Sequence, residues 1–92
     1  MEHQRYHNQL RRFRRERCLT QKEVAEIMGL RNSAMISRWE KGTVLPETVN
    51  ALKMAALYRS SVDVIYRDLR LSVMEKLIQR ENVIKTRWED HE

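Results

Sequence analysis

The chain reads as an all-α protein, and three observations carry that reading. Apolar residues recur at three- and four-residue spacing along most of its length. Thr20 followed by Glu23 forms a capping box, the arrangement in which a hydroxyl and a carboxylate satisfy two free N–H groups at a helix start. The two glycines, at 29 and 42, each follow an apolar run, where a left-handed residue ends a helix at low steric cost.

Taken in order, Leu10–Arg14 (LRRFR) opens a basic first helix behind an N-terminal arm of residues 1–9. The capping box starts a second helix near Gln21, with Val24, Ala25 and Met28 as a narrow apolar stripe and Gly29 as its stop. Leu30 lies in the turn, and Asn32 or Ser33 caps a third helix that runs to Lys41 and stops at Gly42. On that helix Ile36, Trp39 and Glu40 share the inward face, whereas Ser33, Ala34, Ser37, Arg38 and Lys41 share the outward one. Pro46 at a first helical position, with Glu47 beside it, opens a fourth helix whose core stripe is Thr48, Ala51, Leu52, Ala55 and Tyr58. Ser61 caps a short fifth helix carrying Val62 and Ile65. Ser72 and Glu75 form a second capping box, predicting an amphipathic helix to about Arg87 with Met74, Leu77, Ile78, Ile84 and Trp88 on one side and Glu81 interrupting them.

Charge is distributed unevenly. The net charge is +5 over 92 residues. Residues 1–20 carry six Arg against two Glu, residues 21–66 six basic against five acidic, and residues 67–92 six against six. The excess therefore lies ahead of the second helix, where it attracts polyphosphate through counterion release. Arg11, Arg12, Arg15 and Arg17 lack the broad apolar face that a membrane-surface helix needs.

Other classes are bounded by what the chain contains. Cys18 is the sole cysteine, which excludes an intramolecular disulfide and a cysteine-rich metal site and points to a reducing cytoplasm. No apolar run approaches the ~18 residues of a membrane span, and the N-terminus does not resemble a signal peptide. His3, His7 and His91 lie in terminal segments; His3 and His7 could share a helical face, but no metal site is assigned to them. Ser33 and Ser37 have no base at suggestive spacing, so neither enzyme activity nor a cofactor is expected.

From Leu10 to Ile65 the sequence resembles the Cro/cI-type (Xre) helix-turn-helix family of phage-repressor-like domains. The matching blocks are LRRFR at 10–14, LTQKEVAEIMG at 19–29, ISRWEKG at 36–42, and Pro46 with Lys53, Met54, Ala55 and Val62 behind it. The resemblance implies a lambda-repressor-like five-helix bundle in residues 10–66, binding double-stranded DNA, with residues 67–92 as a C-terminal helical extension.

It also implies roles by position. Gln21 contacts a phosphate at the positive end of the second helix. Ser33, Ala34, Ser37 and Arg38 enter the major groove, where Arg38 can fork onto guanine or grip a phosphate. Asn32 fits either a helix cap or an adenine contact, while Arg31, Lys41 and Thr43 stand at the ends of the recognition helix, near phosphates. Arg14 and Glu40 resemble a structural ion pair, and Trp39 belongs to the core.

Three departures from the family pattern stand out. Cys18 and Arg59 occupy positions where glycine usually ends a helix, so either a left-handed cap is strained there or the turns differ. One additional residue separates Gly29 from Ile36. The expected function is a sequence-specific transcriptional regulator, a repressor acting as a homodimer on a palindromic operator. The alternative is an antitoxin-like or adaptor module that binds a protein partner through residues 72–88. The C-terminal helix has three candidate covers: its own domain, a second copy, or a different protein.

Overall fold

The computed structural model describes the backbone of residues 5–89 and side chains through Arg87. Six helices follow one another: α1 (Leu10–Glu16), α2 (Gln21–Met28), α3 (Ala34–Lys41), α4 (Thr48–Leu57), α5 (Val62–Ile65) and α6 (Arg67–Glu89). The first five form a bundle around Leu10, Val24, Ile36, Met54 and Ile65, all essentially solvent-free, with Trp39, Tyr58 and Tyr66 filling the space between them. Phe13 stacks on Tyr58 at a centroid distance of 6.2 Å, fastening α1 to the end of α4.

Four helix ends close in the same way. After α2 and α3, Gly29 and Gly42 take φ of 77° and 73°; after α1 and α4, Cys18 and Arg59 take φ of 55° and 51°. Behind each, the next N–H reaches back to the helix: Leu19 to Arg14, Leu30 to Ala25, Thr43 to Arg38, and Ser60 to Ala55. The turns at Cys18 and Arg59 thus keep the left-handed geometry with a side chain that opposes it.

Several expectations require correction. Pro46 is not the first residue of α4, because the helix begins at Thr48 with Glu47 in the capping position. Thr48 and Leu52 are exposed rather than core; Met54 takes the interior position with Ala55 and Tyr58. Ser72 and Glu75 do not start a helix either, since the chain is already helical from Arg67 and passes through both without a break. The N–H groups a capping box would serve are here inside a continuing helix. Of the three candidate covers for α6, its own domain reaches only the first turn, where Leu69 packs against the core; every residue from Leu71 to Arg87 is exposed. The Trp88 side chain lies outside the described residues.

Candidate nucleic-acid interface

The start of α2 is held by its capping box. Thr20 Oγ1 accepts the Glu23 N–H at 3.1 Å, and Glu23 Oε1 accepts the Thr20 N–H at 2.9 Å. The bonds from Thr20 hold the Glu23 carboxyl below the usual carboxylate range. Of the free N–H groups of the first turn, those of Gln21 and Lys22 remain at the positive end of the helix, where an anion is favoured.

Beyond Gly29 the longer turn is organised by Asn32. Its Oδ1 accepts the Ala34 N–H at 2.9 Å, whereas Ser33, in the capping position, makes no side-chain cap. Of the two capping candidates it is thus the Asn32 side chain that closes the start of α3, and the helix begins at Ala34. The additional residue is taken up between half-buried Leu30 and this pinned asparagine.

α3 divides into two faces. Ile36, Trp39 and Glu40 point inward and are buried. Ala34, Arg38 and Lys41 are exposed, with Ser33 and Ser37 half-buried beside them and Arg31 exposed in the turn. The Arg38 guanidinium lies along its own helix, 3.8 Å from Met35 Sδ, and is free to extend outward. Thr43 Oγ1 donates to the Arg38 carbonyl at 3.2 Å, so its hydroxyl helps close the C-terminal end of the helix.

Behind the outward face, Glu40 gathers three side chains from two helices, α1 and α2. Arg14 donates to both carboxylate oxygens, Gln21 Nε2 donates to Oε1 at 3.1 Å, and Arg11 Nε lies 3.6 Å from the same oxygen. Hydrogen bonding to Glu40 raises the Arg14 pKa above its ordinary value. The Gln21 amide is thus turned inward rather than toward solvent. Because Arg11 and Gln21 share one oxygen, the half-exposed Arg11 guanidinium stands beside the N-terminal end of α2. Its sequence signal was no more than membership of a basic run.

A second feature is held by backbone groups and the Asn8 side chain. The N–H groups of Arg5 and Tyr6 both donate to the Gly42 carbonyl at 3.1 Å, and Asn8 Nδ2 donates to the Trp39 and Tyr6 carbonyls at 2.9 Å. The N-terminal segment is strapped over the end of α3, placing exposed Arg5 beside Gly42 and Thr43. A Cβ at Gly42 would stand 2.5 Å from the Tyr6 carbonyl oxygen, so glycine is required there by contact as well as by φ.

The structure therefore brings Ser33, Ala34, Ser37, Arg38 and Lys41 to one face, with Arg31 and Asn32 at its entry and Thr43 at its exit. Among the described residues no three His, Cys, Asp or Glu side chains form a metal-binding group, and His3 and His91 lie outside them. No described helix is long and apolar enough to cross a membrane.

Searches against curated proteins and solved structures returned no match. The helix-turn-helix family model, of Cro/C1 type, matches residues 10–65, which span α1 through α5. With an outward-facing α3 held on α2 by a glycine turn, this chain belongs to the Cro/C1-type (Xre-like) helix-turn-helix family of DNA-binding transcription regulators.

Proposed function

We propose that the protein is a sequence-specific repressor that inserts α3 into the major groove and excludes polymerase by occupying its operator. The observation that carries this reading is the division of α3, whose core-anchored residues fix its orientation while Ala34, Ser37 and Arg38 stay available. Arg38 discriminates guanine through its paired N–H groups, worth roughly 1–3 kcal/mol against a wrong base. Ala34 offers a methyl to thymine, and Ser33 and Ser37 add less selective hydrogen bonds. Phosphates are gripped at two ends: by the backbone N–H groups of Gln21 and Lys22 in the first turn of α2 with Arg11, and by Lys41 and Thr43 with the strapped Arg5. Arg31 takes a phosphate at the entry to α3, and Asn32 acts by holding that entry in place.

Selection from random duplex DNA, repeated with Arg38→Ala, tests the assignment. The wild type should enrich one motif, and the variant should lose selectivity at a G·C position while retaining general affinity. No enrichment, or the same motif from both, would defeat it. The logarithm of affinity should fall with that of salt concentration with a slope of about −3.6 for four neutralised phosphates. A flat response would contradict the phosphate contacts.

A further inference from the structure

We infer that two copies of this chain pair through α6, antiparallel, about a two-fold axis near Met74 and Leu77. The bundle leaves an apolar band uncovered. It starts in a groove of ~270 Å³ between α4 and the start of α6, where Leu52, Val62, Tyr66 and Leu69 meet. It continues along α6 through Val73, Met74 and Leu77. Together with Ile78 and Ile84, the exposed apolar area is on the order of 600 Å², at the upper end of what a monomer carries. Including the polar side chains along its edges, the surface approaches the ~800 Å² per partner of a standard interface.

The chain's own domain is not the cover. The helix runs unbroken from Arg67, and no glycine or proline occurs in residues 67–92 to let it fold back. A second copy is the occupant because the face is self-complementary. Arg70, Met74, Leu77 and Glu81 follow one another at spacings of four, three and four, within ~60° of arc on the helix. That order reads the same in reverse, with opposite charges at its two ends. In an antiparallel pair Arg70 meets the partner's Glu81 and Met74 meets the partner's Leu77, each contact occurring twice, as an isologous interface requires. Parallel pairing would instead set Glu81 against Glu81 and Arg70 against Arg70.

The present ion pairs are compatible with this arrangement. Glu81 is bound by Lys85 of its own helix at 2.7 Å, and Arg70 lies 3.5 Å from Asp63, so both charged ends are already neutralised on one side. The pairing carries the distal Ile84 of each helix to the Tyr66–Arg70 end of the other, covering the mouth of the groove. At 1.5 Å per residue the two α6 starts lie about 26 Å apart, on either side of a perpendicular two-fold axis. A palindromic operator needs the same two-fold symmetry. Pairing through α6 requires no DNA.

Sedimentation equilibrium on the full chain tests pairing, and charge exchange tests its register. A dimer is expected by about 100 μM; Arg70→Glu and Glu81→Arg should each weaken it at least tenfold, and the two combined should restore it to within about threefold. Leu77→Asp should leave a monomer of unchanged helicity. Nitroxides at Ile84→Cys, in a Cys18→Ser background, should lie about 27 Å apart in an antiparallel pair and about 10 Å apart in a parallel one. A strict monomer at that concentration overturns the proposal, as does a complex formed only with a different protein. So does a dimer that is indifferent to Leu77→Asp, fails the charge rescue, or shows the short distance.

Discussion

Arg14 and Glu40, 26 positions apart, meet through two parallel hydrogen bonds, Nε to Oε2 at 2.6 Å and Nη2 to Oε1 at 3.0 Å. The Glu40 side chain is 1% exposed and that of Arg14 12%, so the pair is largely withdrawn from water. Arg14 also donates through Nη1 to the Leu19 carbonyl at 2.9 Å, tying the α1–α2 link to the underside of the reading helix.

Removing one partner strands the other. Arg14→Met should cost about 3 kcal/mol, the low end for a broken buried pair because Gln21 and Arg11 still touch Glu40. In a domain of this size that lowers the melting temperature by roughly 15 °C. Arg14→Met combined with Glu40→Leu should recover at least half of the loss, since no uncompensated charge remains. Calorimetry of the two variants checks this, and a double variant no better than the single would show that the charge pair is not the source.

Cys18 and Arg59 sit in left-handed turns that match those of Gly29 and Gly42 in φ and in hydrogen bonding. A non-glycine residue there opposes its own Cβ at a cost of about 1 kcal/mol. Cys18→Gly and Arg59→Gly should each raise unfolding free energy by about 0.5–1 kcal/mol, with the gains adding because the sites are separate. Urea titrations showing no gain in either variant would mean that the two residues repay the strain through other contacts.

The two glycines themselves differ in a way that stability can report. At Gly29 nothing lies within 4 Å of an added Cβ, whereas at Gly42 the Tyr6 carbonyl does. Gly29→Ala should therefore cost about 1 kcal/mol for φ alone, and Gly42→Ala at least about 1 kcal/mol more as the strap of residues 5–8 is displaced. Hydrogen exchange should show the Arg5 and Tyr6 amides opening in the second variant and not in the first. Equal losses would argue that the strap contributes nothing to the hold on α3.

How much of this could be read from the residues follows from which groups carry the information. The second and third helices were legible because Thr20, Glu23, Gly29 and Gly42 act locally, within one turn of the boundary they set. Arg14 and Glu40 were paired by resemblance to the family, and their inward faces agreed with helical period. The strap was invisible because it is held largely by backbone N–H and carbonyl groups, which every residue has. The start of α6 misled because Ser72 and Glu75 satisfy a local pattern while their helical context begins five residues earlier, at Arg67. Leu52 looked like core because periodicity marks an apolar face without saying whether anything covers it.

The Tyr66 hydroxyl is buried and has no hydrogen-bond partner among the described residues, and burial pushes its pKa up to about 12. Tyr58 is likewise pushed up to about 12 by burial, with Glu40 adding to the rise. Both folded values exceed the ordinary value of 10, so the protein binds these protons more tightly than the unfolded chain. Their contribution to stability is fully present below pH ~10 and is lost as pH rises through ~12, roughly 2–3 kcal/mol for each tyrosine. Tyr66→Phe should remove one of the two losses and, by deleting an unpaired buried hydroxyl, stabilise the neutral protein by about 1 kcal/mol. Unfolding followed from pH 8 to 12, with tyrosinate absorbance recorded alongside, measures both effects. A variant that is less stable at neutral pH would show that the hydroxyl is hydrogen-bonded in solution.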